Sequence, residues 1–245
     1  MVIGRAPLES RVTPCRYLKQ ISLHRNIISF NQCFMHITKL GHSCLLVEEG
    51  EARILIDPGT WSQGHTELEN LDAIFITHKH QDHADPESIK KIIARNPAVP
   101  IYSNDHVQEE LKPHGLAVRH FIGGDATEIK GLKVEGFGQD HATIYPTYPR
   151  TDNTCFLIGG RLYHPGDALY APDKPVEILA LPIAAPWMRL SEAIDFAKQI
   201  KPKRAFSIHD GFFKYVDWVQ KHPKNLLAPE GIEWMVLENG KQYQF

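Results

Sequence analysis

The chain has 245 residues, 42% hydrophobic and 23% charged, an ordinary globular composition with length for one sizeable domain or two small ones. Lysine and arginine number 27 against 29 acids, a net charge of −2, which argues against a nucleic-acid groove or a polybasic membrane anchor. No apolar run approaches the roughly 20 residues of a membrane-spanning helix, and the departure from average lies in the 14 histidines.

Residues 1–34 differ in character from the rest of the chain. They carry Arg5, Arg11, Arg16, Lys19 and Arg25 against one acid, Glu9, and show no strand or helix period. They read as a poorly ordered extension, with Met35 as an alternative start; an Arg-rich, acid-poor mitochondrial presequence is the other reading. "IISFNQCFMHI" is broken by Asn31 and Gln32 and lacks a signal-peptide cleavage site. Cys15, Cys33, Cys44 and Cys155 form no CxxC pair and are expected as reduced thiols of a cytoplasmic protein.

From Met35 the pattern tightens. "HITKL", "CLLVEE" and "ARILID" are short β-type runs between glycine-containing turns, a meander of strands. "LDAIFIT" is a strand leading into "THKHQDHAD", where Asp85 and Pro86 mark a helix start and Ile89, Ile92 and Ile93 give that helix an apolar face. "VPIYSN" predicts a strand, "DHVQEELKPH" a helix, and "ATEIKGLKVEGFGQDH" a hairpin. "NTCFLIGGRLYHPGD" repeats the strand–Gly-Gly–strand theme, and "VEILALPI" is an apolar run of buried-strand type. "SEAIDFAKQIKP" predicts a helix opened by Ser191 and stopped by Pro202. "RAFSIHDG" is a strand ending in histidine, "GFFKYVDWVQKH" a helix, and "IEWMVLENGKQYQF" a closing hairpin around Asn239-Gly240. Strands precede helices twice over, with no linker inside residues 35–245, so one domain of two face-to-face sheets with helices outside is expected.

In the histidine loop, His78 and His80 are two apart and project to one side of an extended segment. Asp82 and His83 follow as the chain turns toward its helix. Neutral imidazole is a good ligand for zinc and its neighbours, so four donors in six residues could serve one closed site or half of each of two. His141, Asp167 and His209 each follow a later strand-like run. Singly, each could be a surface or core residue.

With these residues in this order (HxHxDH, then His, Asp and His), the chain resembles the metallo-β-lactamase-fold hydrolase superfamily over essentially residues 35–245. The resemblance implies an α/β (α+β) fold, the four-layer αββα sandwich, and two divalent metal ions. His78, His80 and His141 would hold the first ion, Asp82, His83 and His209 the second, and Asp167 would bridge them, which makes Asp82 and Asp167 the catalytic carboxylates. Asp57 in "ILIDPG" matches the superfamily's early aspartate, which steadies a ligand from behind; an ordinary turn aspartate before Pro58-Gly59 is the other reading. "LGHSC" followed by "ILIDPG" looks like the branch related to L-ascorbate-6-phosphate lactonase. "ATIYP" after His141 departs from the threonine-proline-glycine run of glyoxalase II, quorum-quenching lactonases and β-lactamases, which speaks against those three activities.

The expected activity is a dinuclear metal-dependent hydrolase in which metal-held hydroxide attacks an ester, lactone or phosphoester of small-molecule size. Zinc is the first choice of metal, with manganese or iron as alternatives. A nuclease or phosphodiesterase of the same fold, or a non-catalytic metal-binding regulatory protein, are the competing readings; a nucleic-acid partner is disfavoured by the charge, and oligomeric state is not readable. His42 could line the site or be a turn histidine. Tyr145, Tyr148, Trp61 and Trp187 could form the substrate pocket or simply pack. His164 and Asp210 adjoin expected ligands as supports or solvent-facing residues, and Cys44 and Cys155, in apolar strand-like runs, are expected to have no catalytic role.

Overall fold

In the computed structural model, which describes residues 34–245, the apolar runs of the first half become strands of one sheet. They are β1 (Met35–Lys39), β2 (Leu45–Glu49), β3 (Ala52–Ile56), β4 (Ala73–Phe75), β5 (Ile101–Ser103) and β6 (Val118–His120). Two helices interrupt them, α1 (Pro86–Arg95) and α2 (Asp105–Leu111). The second half repeats the plan with β7 (Ala126–Ile129), β8 (Leu132–Phe137), β9 (Cys155–Ile158), β10 (Leu162–His164), β11 (Ile178–Pro182), α3 (Leu190–Ile200), β12 (Arg204–Ile208), α4 (Val216–Leu227) and β13 (Glu233–Met235). A last strand, β14 (Gln242–Gln244), returns to the first sheet. The proposed extension over residues 1–34, with Cys15 and Cys33, lies outside the described residues except for Phe34.

The strand orders are β14-β1-β2-β3-β4-β5-β6 and β13-β12-β11-β10-β9-β8-β7. In the first, pairing is antiparallel from β14 to β3 and parallel from β3 to β6; in the second it is antiparallel from β7 to β10 and parallel from β10 to β13. Strands β1, β3, β4, β8, β10 and β12 therefore each run with the parallel strands of their own sheet, and the loops after them carry the conspicuous histidines and aspartates. The inner faces meet in a core that includes Ile37, Ile54, Phe75, Phe156, Ile178 and Phe206. Phe75 stacks on Tyr102 at 4.9 Å between centroids and meets Phe156 edge-on at 5.4 Å; truncating such a buried ring to alanine costs about 3–5 kcal/mol. On the outer faces, Ile89 and Ile92 of α1 pack on Leu55 and Ile74, while Ile194 and Phe196 of α3 join a cluster with Leu179 and Leu181. This is a four-layer αββα sandwich.

Three expectations need correction. The terminal "IEWMVLENGKQYQF" is no hairpin: β13 pairs in parallel with β12, and β14 pairs antiparallel with β1. Asn239-Gly240 instead lies where the chain crosses between sheets, Gly240 N–H donating to Lys39 C=O at 2.8 Å. Helix α3 starts at Leu190, before Ser191, because the Glu192 carboxylate reaches back to accept from Arg189 N–H at 2.6 Å. Helix α4 starts only at Val216 and continues past His222 through Pro223 to Leu227.

Candidate metal centre

The histidine loop is held from both ends. Asp85 caps α1, its carboxylate accepting from Ser88 N–H at 3.0 Å, with Pro86 in the first turn. From the side the β3 turn presses against it: Thr60 N–H donates to Gln81 C=O at 2.9 Å. A Cβ on Gly59 would fall 1.8 Å from the Asp82 carbonyl oxygen, so only glycine allows the two segments to meet.

Two groups of side chains converge here. His78, His80, His141 and Asp167 form one, and His42, Asp82, His83 and His209 the other, the candidate ligand atoms within each lying within 4.8 Å of one another. Asp167 faces both. Its Oδ1 lies 2.8 Å from His209 Nε2 and 3.2 Å from His83 Nε2, while its Oδ2 lies 3.4 Å from His141 Nε2 and 4.0 Å from His78 Nε2. Asp82 Oδ2 is 3.6 Å from His83 Nε2 and 3.7 Å from His209 Nε2. The seven residues expected as ligands are thus brought together, and His42, a lesser candidate, stands beside them with Nε2 3.2 Å from Asp82 Oδ2.

The electrostatics follow from burial and crowding. Burial, reinforced by His83 and neighbouring histidines, holds His78 well below the ordinary histidine range, and burial lowers His42 to about 4. Burial would also depress His83, but the carboxylates of Asp167 and Asp57 win and raise it well above the ordinary value. Burial works against ionisation of Asp167, yet His209, His83 and His78 hold it well below the usual carboxylate range. Asp82 is likewise lowered against its burial, chiefly through His42 and His83.

A set of this kind fits divalent metal. His78 Nε2, His141 Nε2 and Asp167 Oδ1 are buried without a hydrogen-bond partner among the described residues, and buried polar atoms are rarely left so. The far nitrogens are engaged: His83 Nδ1 meets Asp57 Oδ2 at 2.7 Å, His209 Nδ1 meets Ala184 C=O at 2.7 Å, and His141 Nδ1 meets Ala142 C=O at 2.5 Å. Such outer contacts orient an imidazole and leave its Nε2 lone pair facing inward. Neutral and anionic N/O donors of this mix suit zinc, manganese or iron alike.

The residues around the two groups include both expected and unexpected ones. Asp57 accepts from Thr77 N–H at 2.7 Å and from the Thr77 hydroxyl at 2.8 Å, as well as meeting His83. Asp57 (φ 47°) and His209 (φ 61°) both occupy the left-handed region, a conformation that costs about 1–2 kcal/mol for an L-residue. His164 turns away from the metal groups, its Nε2 donating to Ser43 C=O at 3.0 Å, and Asp210 pairs with buried Lys39. Trp187 Nε1–H donates to Asp167 Oδ2 at 2.8 Å, a contact beyond packing. Tyr145 and Tyr148, each more than half exposed, line a cleft of about 790 Å³ with His80 and His141, and Trp61 lies 4.9 Å from the His42 ring. Thr77, Lys39 and Asn153 are not marked by the sequence pattern. Asn153 Oδ1 accepts from Asp167 N–H at 2.9 Å, and only a cation inside the apolar "HITKL" hints at any of the three. Cys44 and Cys155 are buried, and burial pushes both thiols up, Cys155 to about 12, leaving neither as a nucleophile at neutral pH.

Residues 36–209 match the family described as Beta-lactamase superfamily domain, and the chain belongs to that family. Among its relatives, Protein Rv0786c of Mycobacterium tuberculosis is 42% identical over 180 residues, 71% of this chain and 84% of the relative. A UPF0173 metal-dependent hydrolase of Thermoplasma volcanium is 28% identical over 206 residues, 78% of this chain and 90% of that one. Among solved structures, Igni18, a metallo hydrolase from Ignicoccus hospitalis, superposes with a TM-score of 0.70 at 22% identity, covering 86% of this chain and 98% of its own.

Proposed function

We propose that this protein is a dinuclear metal-dependent hydrolase of ester, lactone or phosphoester substrates. The observation that carries the reading is Asp167, which offers one oxygen to each group of histidines. His78, His80 and His141 would hold one ion, Asp82, His83 and His209 the other, with zinc as first choice. When bound, two such ions supply Lewis acidity toward an acyl or phosphoryl oxygen and make a water acidic enough to ionise near neutral pH.

The chain's own groups do the positioning. Asp57 and Thr77 fix His83, and Trp187 holds the Asp167 oxygen that faces the first group. The cleft beside His80 and His141, walled by Tyr145, Tyr148 and Tyr170, supports a substrate with a flat or apolar portion. Relatives named metal-dependent hydrolases support the same class of reaction. No helix among the described residues is long and apolar enough to cross a membrane, and the buried thiols of Cys44 and Cys155 accord with the cytoplasm. The test is a panel of carboxylic esters, lactones, phosphomonoesters and phosphodiesters, assayed with and without chelator, alongside metal analysis. About two ions per chain and chelator-sensitive turnover support the reading. A fully loaded protein that hydrolyses none of the panel would instead favour a metal-binding regulatory protein.

A further inference from the structure

We infer that His42, although it stands within the second group, is a positioning residue that donates from Nε2–H to Asp82 and is not a metal ligand. The inference rests on the reading of that group as a metal site. A neutral imidazole carries one proton, and what its two nitrogens face decides where the proton sits. His83, His209 and His141 have Nδ1 against a carboxylate or a carbonyl oxygen, so in the neutral ring Nδ1 keeps the proton and Nε2 presents a lone pair. His78 follows the same rule: the Thr77 hydroxyl donates to Asp57, leaving its oxygen to accept from His78 Nδ1 at 3.0 Å.

His42 is built the other way round. Its Nδ1 accepts from the backbone N–H of Gly211 at 3.1 Å, a donor that cannot reverse. The proton therefore resides on Nε2, and ligation through Nε2 would place a proton on Nδ1 to confront the Gly211 amide. The arrangement is rigid. His42 C=O accepts from His209 N–H at 2.8 Å, and its own N–H donates to Trp61 C=O at 3.2 Å. A Cβ on Gly211 would lie 3.0 Å from the His42 Cβ, so the two residues are in close contact. Nε2 is buried with no partner at full hydrogen-bonding geometry among the described residues, and Asp82 Oδ2, 3.2 Å away, is the acceptor within reach of its proton. The interaction steadies Asp82, the partly exposed carboxylate of the group, at a geometry where His83 and His209 can share an ion with it.

The test uses ¹⁵N-histidine-labelled full-length protein, with zinc as the probe. Long-range ¹H–¹⁵N correlation spectra, with His42 identified by its loss in His42→Gln, are expected to show a protonated Nε2 and a bare Nδ1 before and after zinc is added. Zinc binding to His42→Gln, which keeps a nitrogen donor near the same place, is expected to retain two ions with second-site affinity within about tenfold of the parent. His42→Ala should bind the second ion about 10–100-fold more weakly, the usual cost of losing an outer contact. A protonated Nδ1 with zinc on Nε2, or loss of the second ion from His42→Gln as fully as from His209→Gln, overturns the proposal. So does unchanged affinity in both His42 variants. If the parent protein takes up no second ion, it is the two-metal reading that fails; a protonated Nε2 in zinc-free protein then still supports donation to Asp82, and a bare one refutes it.

Discussion

Asp57 Oδ2 and His83 Nδ1 lie 2.7 Å apart with both side chains fully buried, so the imidazole is held from behind by a carboxylate that itself sits in a left-handed turn. Asparagine tolerates that backbone conformation, which makes Asp57→Asn a test of the charge alone. Breaking a buried pair by removing one partner costs about 3–5 kcal/mol, and second-site metal affinity should fall about 10–100-fold. Denaturant unfolding and metal titration read the two effects separately. Unchanged affinity would reduce Asp57 to a folding residue.

Asp167→Asn tests the proposed bridge. One oxygen facing each group means that a single substitution disturbs both, so turnover should fall by at least about 100-fold, the scale on which an outer contact already acts. Metal content should drop below two ions per chain. Full activity with a full metal complement would remove Asp167 from the bridging role.

The Lys39–Asp210 pair, at 2.6 Å, ties the end of β1 to the residue after His209, with the Ser207 hydroxyl donating to the same carboxylate at 2.6 Å. Either Lys39→Met or Asp210→Asn strands one buried group, at a cost of about 3–5 kcal/mol. For a chain of this size that corresponds to a fall in Tm of about 2–4 °C per kcal/mol. The double variant should be less damaged than the sum of the two, since neither group is then left alone. Additive losses would argue that the pair is not coupled.

His65 gives a pH prediction away from the metal groups. Burial lowers its pKa, and neither ring nitrogen finds a partner among the described residues. The unfolded chain takes up the proton at about 6.5, before the folded one can, so the His65 contribution to stability is intact above that pH and is lost as pH falls toward its depressed folded value. Unfolding of parent and His65→Phe at pH 7.5 and 5.5 isolates the residue: the variant should lose less stability on acidification. Equal losses would show that His65 is free to protonate in place.

Much of the fold and of the site is legible in the sequence because the signals are local. Short apolar runs between turns mark the strands, Asp85-Pro86 marks the start of α1, and histidines after strand ends mark the edge. What escapes is set by distant partners. Asn239-Gly240 carries a hairpin's chemistry, but the pairing of β13 and β14 is decided by which sheet edge each can reach. The inverted setting of His42 depends on Gly211, 169 positions away, and no pattern within "LGHSC" distinguishes it from a ligand. Asn153 reads as an ordinary polar residue until the Asp167 loop folds onto it.

The loops of the first sheet bring His78, His80, Asp82 and His83, and those of the second bring His141, Asp167 and His209, so neither sheet alone owns a complete set. An ion bound across that seam favours only the state in which the layers are docked. Free metal at 100 times its dissociation constant would add about 2.7 kcal/mol to the folded state. The folded fraction of the protein would then rise and fall with metal supply.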